Sequence, residues 1–229
     1  MTPVVRASAP FRPLAPGVTV AEMLNDAHGC HGLHQRRIHL AGSPSLTDSQ
    51  SLAGTAGGAG EAWYVLRGTG RLEPDVALRP GTAVWLPAAT GYRCEASADG
   101  MEILAVTVRA GAGDDGPPLH VVCLEECEPE RTGDREFRVL LSAGLTFTQF
   151  VGHIPPGRAP SHHHTYDEVV HVLAGHGVVH LAGGDTEIGP GTSIYLPPLQ
   201  PHCLENTGPD VLQVLGVFHP AGSPAAKRE

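Results

Sequence analysis

The sequence predicts an all-β protein made of two similar antiparallel units in tandem, and three observations carry that expectation. Glycine (29) and proline (21) are abundant in the 229 residues while aromatics are only 5%, which favours many turns and short strands. Apolar residues recur in short alternating runs, and neither half shows a strong amphipathic helix. The third observation is an internal repeat. Glu61 through Gly70 matches Glu168 through Gly177 at an offset of 107, and Gly81 through Pro87 matches Gly191 through Pro197 at an offset of 110. The three extra residues fall in the hairpin around Ala182 to Thr186. A first unit is therefore expected over residues 1–115 and a second over 116–229, joined by the turn-rich stretch Ala110–Pro118.

Taken in order, Gln35–Leu40 reads as a strand rather than a basic patch. His28, His31, His34 and His39 also lie in the first half, but their spacing of three does not converge on a strand. Ala53–Gly60 is a small-residue run expected to be flexible. In the second half, Phe137–Leu141 and Leu145–Val151 read as strands, and Pro155-Pro156-Gly157 turns the chain. His162 and His164 follow, two apart, so on an extended strand their imidazoles reach one space. His163 points the other way. Thr165–Asp167 is a short connection, and Glu168 opens the β-branched run Val169–Val172. Gly191–Leu196 is a strand, Pro197–Pro201 a proline-rich turn, and His202 opens the strand after it. Leu212–Phe218 alternates, and the tail 219–229 is extended.

Two imidazoles and a carboxylate at this spacing, with His202 as a fourth, suit a borderline divalent ion such as Fe, Mn, Ni or Zn. The expected metal ligands are His162, His164, Glu168 and His202. Val170 and Val172 share the parity of Glu168 and should give the ion dry walls. Near the metal, Tyr166, His171 and His180 are the candidate supporting or acid–base residues, with Asp167 beside them. His171 has the opposite strand parity from Glu168, which favours a sheet-face position.

These residues resemble the two motifs of the cupin superfamily. The first runs from Gly157 through His162, His164 and Glu168 to Gly175, with four residues rather than five after the opening glycine. The second is met by Gly191, Pro197, His202 and Asn206, with Leu199 in place of the middle glycine. The resemblance implies cupin-type barrels (double-stranded β-helix or jelly roll) with the metal inside, and the repeat makes the chain similar to a bicupin. Transferring the histidine positions to the first half lands on Thr55, Gly57 and Tyr92, and only Glu61 keeps its type. The first barrel is therefore expected to be metal-free, with Glu61 facing its lumen.

A formal charge of −9 without a basic run argues against nucleic acid or an anionic membrane as partner. No stretch is long and apolar enough to span a membrane, and the start lacks the apolar core of a signal peptide. The five scattered cysteines read as reduced thiols, so a cytoplasmic location is expected. The expected partner is a small-molecule substrate, and a homodimer is compatible with the sequence. What the resemblance implies is a metal-dependent enzyme of small-molecule metabolism, with a dioxygenase as leading subclass. The alternatives are a non-redox isomerase, decarboxylase or lyase, a cupin assisting nitrogen–nitrogen bond formation, and a non-catalytic binding protein.

Overall fold

The structure, a computed structural model, describes residues 2–42, 51–56, 60–109 and 118–225. Gly57, the centre of the small-residue run, the end of the tail and nearly all of the linker expected at 110–118 lie outside the described residues. Among the described residues the chain is antiparallel β-structure with two short 3-10 turns and no α-helix. The all-β expectation holds.

Two compact units are present, and neither is one continuous segment. One comprises Ala9–Met23 and His34–Glu126; the other comprises Met1–Ser8, Leu24–Leu33 and Cys127–Glu229. A single division at 115 therefore does not describe them. Strand Val4–Arg6 pairs with Ser193–Leu196 of the second unit, and His120–Cys123 pairs with Thr82–Leu86 of the first. Each short strand covers what would otherwise be a bare sheet edge. Strands of three or four residues carry too little alternation to reveal their sheet from sequence.

In the first unit, Gly60–Leu72 and Gly91–Val108 form the long central pair of a nine-stranded sheet. Its apolar core includes Trp63, Val84, Leu86, Ile103 and Met101. The second unit holds a seven-stranded sheet and a four-stranded sheet. In the larger one, Asp167–Ala174 lies between Ser193–Leu196 and Leu212–His219. Val169 to Val172 are all buried, on both faces of that strand, which is why the sequence there is apolar except for His171. The smaller sheet places His202–Asn206 between Gly157–Arg158 and Gly177–Leu181. Asn206 is buried and ties this corner together. Its Nδ2 donates to the carbonyls of Ile154 and Asp210, and its Oδ1 accepts from Gly208 N.

The internal repeat is visible in the strand registers. Glu61 lies opposite Leu86 and Thr107, and Glu168 lies opposite Leu196 and Phe218. Gly68 and Gly175, matched in sequence, both adopt positive φ, and a Cβ on Gly175 would lie 2.7 Å from the Val211 carbonyl oxygen. The turn before His202 also has its twin. Ala89 (φ 59) and Leu199 (φ 62) occupy the left-handed region at matched places, closed by Thr90 N to Pro87 O and Gln200 N to Pro197 O. Leu199 thus takes the conformation that the motif's glycine would take, with its side chain 62% exposed.

Leu199→Gly should relieve left-handed strain while removing little packing, stabilising the second unit by about 1 kcal/mol. Thermal unfolding checks it: the midpoint should rise by a few degrees, and a fall would show that the leucine side chain offsets its own strain.

Candidate metal centre

Backbone pairing brings the two motifs together before any ion is considered. His162 and His202 form an antiparallel bridge, with His162 N donating to His202 O at 3.0 Å and His202 N to His162 O at 2.9 Å. Leu199 N donates to His164 O at 2.6 Å, so the strained turn also holds the third histidine. Glu168 enters from the neighbouring sheet at the start of Asp167–Ala174.

The imidazoles of His162, His164 and His202 converge, with one ligand nitrogen from each lying within 4.8 Å of the others. Glu168 Oε2 is 3.6 Å from His164 Nε2 and 3.8 Å from His202 Nε2. The other ring nitrogens are already engaged. His162 Nδ1 meets Pro160 O at 3.2 Å and His202 Nδ1 meets Gln200 O at 3.0 Å. Carbonyls only accept, so each Nδ1 carries the proton and each Nε2 presents its lone pair inward. His164 is held by its rings instead: Tyr166 stacks on it at 4.8 Å and 10°, and Phe218 packs at 5.4 Å.

Electrostatics favour a cation here. Burial, followed by repulsion from His162 and His202, pushes the His164 pKa down to about 3. Burial and His162 lower that of His202 to about 4. Burial alone raises the Glu168 carboxyl to about 8. Glu168 Oε2 is buried without a hydrogen-bond partner. Converging imidazole nitrogens beside the unpartnered oxygen of Glu168 form a donor set that fits a divalent transition ion.

The four groups border a cavity of about 80 Å³. Its walls are apolar, from Phe150, Val170, Leu196, Leu204, Val214 and Phe218, and its rim is polar, from Thr132, Arg135 and Glu136. Val172 lies in the same apolar core as Val170. Among the supporting candidates, Tyr166 is at the site, but its hydroxyl donates to Ser223 O at 3.3 Å; it acts through the stacked ring. His171 is buried with its Nδ1 2.9 Å from Ser193 Oγ, does not line the cavity and faces away from Glu168. His180 is drawn to the small sheet by Glu205 and Asp185, each at 2.8 Å. Neither histidine is brought to the metal position, because strand parity and local acid partners decide their direction. Asp167 accepts from Tyr195 Oη at 2.6 Å.

In the first unit, Glu61 is buried in a different setting. Arg36 Nη2 donates to its Oε1 at 2.6 Å and Trp63 Nε1 to its Oε2 at 2.9 Å. Tyr92 packs edge-on against Trp63 at 4.9 Å. Sequence reasoning passed over both Arg36 and Arg135. The signal for Arg135 was its two-residue spacing from Phe137, which puts both on one strand face.

Comparison with known proteins agrees with this construction. The cupin domain family matches residues 150–218, the segment that holds all four candidate ligands. An uncharacterised protein, MJ1618 of Methanocaldococcus jannaschii, is 36% identical over 58 residues, 25% of this chain and 46% of its own length. The chain thus spans a little under half of that relative. The fold is similar to that of Bacillus subtilis oxalate decarboxylase, a protein with Mn(II) centres, at a TM-score of 0.74 and 14% identity over 96% of this chain and 78% of that one. It is also similar to a Pseudomonas aeruginosa protein named for induction by glyoxylate, at a TM-score of 0.74 and 16% identity over 94% and 86%. The cupin match thus covers the segment that carries the candidate site, and over nearly its whole length the chain shares the fold of these two proteins.

Proposed function

We propose that the second barrel is the centre of a metal-dependent enzyme acting on a small molecule, with an oxygen-using dioxygenase as the leading subclass. The cofactor is one divalent transition ion, Fe, Mn, Ni or Zn, held by His162, His164, Glu168 and His202. The observation that carries this reading is the convergence of three histidine nitrogens beside the buried, unpartnered Glu168 Oε2 in a largely apolar cavity. Four protein ligands leave one or two positions open on an ion that accepts five or six. Once bound, the ion would supply Lewis acidity and, if redox-active, electrons for dioxygen. The chain's own part is positional. The carbonyls behind His162 and His202 fix their tautomers, Tyr166 and Phe218 fix the ring of His164, and the aliphatic walls exclude water, which strengthens every electrostatic contact inside.

A non-redox decarboxylase is the second reading, favoured by the size of the cavity. By the volume one water needs, 80 Å³ admits about six non-hydrogen atoms. The likeness to oxalate decarboxylase, a protein named for a small diacid, points the same way. For the first barrel we propose a metal-free, structural role, supported by the guanidinium of Arg36 lying on Glu61.

Metal analysis of protein purified without a histidine tag tests the ion. Oxygen uptake and anaerobic release of carbon dioxide, followed across a panel of small acids, then separate the two chemistries. Metal-bound protein inactive in both assays, with no exchangeable position, would sink the enzyme reading.

Proton release gives an independent check. With Glu168 at about 8 and the two buried histidines far below 7, the empty site at pH 7 holds its proton on the carboxyl. Ion uptake should displace about one proton per ion at pH 7 and roughly a tenth of one at pH 9. Calorimetric titration in buffers of different ionisation enthalpy reads this directly. Equal release at both pH values would mean that Glu168 is not the group displaced.

A further inference from the structure

We propose that Arg135 selects the substrate of the metal cavity and that the molecule it selects is a small carboxylate. This rests on the metal reading above for the ion at the other end of the cavity. Arg135 opens the strand Arg135–Leu141 and shares a face with Phe137, whose ring packs with Phe150, Tyr166 and Phe218. It lines the same cavity as the four ligands. Its recorded hydrogen bond is a long one, Nη2 to Leu204 O at 3.4 Å. Most arginines described in the chain find an acid: Arg12, Arg37, Arg71 and Arg79 each pair with a carboxylate. Among the described residues no carboxylate lies within ion-pair distance of Arg135. Glu136, which also borders the cavity, is engaged by Arg131 and Arg138 instead.

Burial pushes the guanidinium below its usual range, and the nearby charge of Asp134 offsets this only in part, without a direct ion pair. Such a group, beside a dry cavity, is matched by an anion that arrives from outside. The charge count agrees. A divalent ion and the guanidinium of Arg135, set against the carboxylates of Glu168 and Glu136, still leave the cavity net positive. A carboxylate accepts the guanidinium's paired N–H groups two at a time, a geometry that an ammonium cannot reproduce. A cavity of about 80 Å³ suits a small anion, such as a two- to four-carbon acid.

The test uses the full chain, zinc-loaded and separately after chelation, with glycolate and oxalate as probes and glycolamide and oxamide as neutral counterparts. Calorimetry should show the acids binding and the amides binding far more weakly. Arg135→Gln should weaken the acids roughly 30-fold and Arg135→Lys roughly 5-fold. Metal content should stay at the parental value in both variants. In the chelated parent, millimolar glycolate should still shift the Arg135 Nε–H resonance. Acids that bind within twofold of the parent to both variants, or amides that bind as tightly as acids, would overturn the proposal. A parent that takes up no zinc would overturn the metal reading instead. The resonance shift in chelated protein then decides the role of Arg135 alone, as it does if Arg135→Gln fails to fold.

Discussion

His202→Ala is expected to lower bound metal from one ion per chain to roughly a tenth or less, and turnover by on the order of a thousandfold or more. The two effects differ in origin. Metal affinity falls because one donor is lost and the remaining three no longer enclose the ion. Turnover falls further, because any residual ion sits off the position that the cavity walls were shaped around. The fold should survive both. The His162–His202 bridge is made by backbone atoms and does not need the imidazole. The unit's apolar core, with Val170, Ile194, Leu196 and Val214, is independent of the ion. Metal analysis, circular dichroism and turnover on the same preparation separate these outcomes. Collapse of the barrel on losing His202 would identify the ion as a structural staple and favour a binding protein.

Arg36→Met should destabilise the first unit by about 3 kcal/mol. Glu61 is buried, and in this variant its charge would keep only the indole N–H of Trp63. The guanidinium side chain is 25% exposed, which places the expected loss at the lower end for a broken buried pair. Replacing both partners, Arg36→Met with Glu61→Leu, should recover most of that loss, since no charge is then left unpaired. The chain has two tryptophans, Trp63 and Trp85, and both lie in this unit. Urea unfolding followed by tryptophan fluorescence therefore reports on the first unit without the second. If the double variant is no more stable than the single one, the pair is not the source of the loss.

The convergence of His162, His164 and His202 beside Glu168 was legible in the sequence because metal chemistry demands particular residue types at particular spacings. Glu168 and His202 do lie at the beginning of strands, whereas His162 makes only a single bridge and His164 lies outside a strand. Glu61 was legible for the same reason, through the repeat. What partners these groups was not. Arg36 lies in a strand, Leu33–Leu40, whose sequence includes two adjacent arginines, and nothing in that pattern says which one reaches an interior carboxylate. His171 and His180 looked eligible from proximity in sequence. Their directions depend on Ser193, Asp185 and Glu205, which are near only after the sheets form. The substitution of Leu199 for glycine suggested a departure at the turn, yet the backbone keeps the left-handed conformation and the side chain points to solvent. The repeat's offsets of 107 and 110 were accurate to the register, because a slip of one residue would have turned every core side chain outward.

The interleaved make-up of the two units has a consequence for how this polypeptide can be dissected and made. A fragment cut near residue 115 would carry His120–Cys123 away from Thr82–Leu86 and leave Val4–Arg6 behind. The isolated C-terminal piece would then present the Ser193–Leu196 strand as an open template, one strand away from Glu168, and should self-associate through that edge. During synthesis the same dependence becomes a matter of timing. Residues 4–6 leave the ribosome well before their pairing partner, which emerges almost two hundred residues later, roughly ten to forty seconds at ordinary elongation rates. The larger sheet of the second unit is closed at that edge by a much earlier part of the nascent chain, so the edge stays open until Ser193–Leu196 has been made.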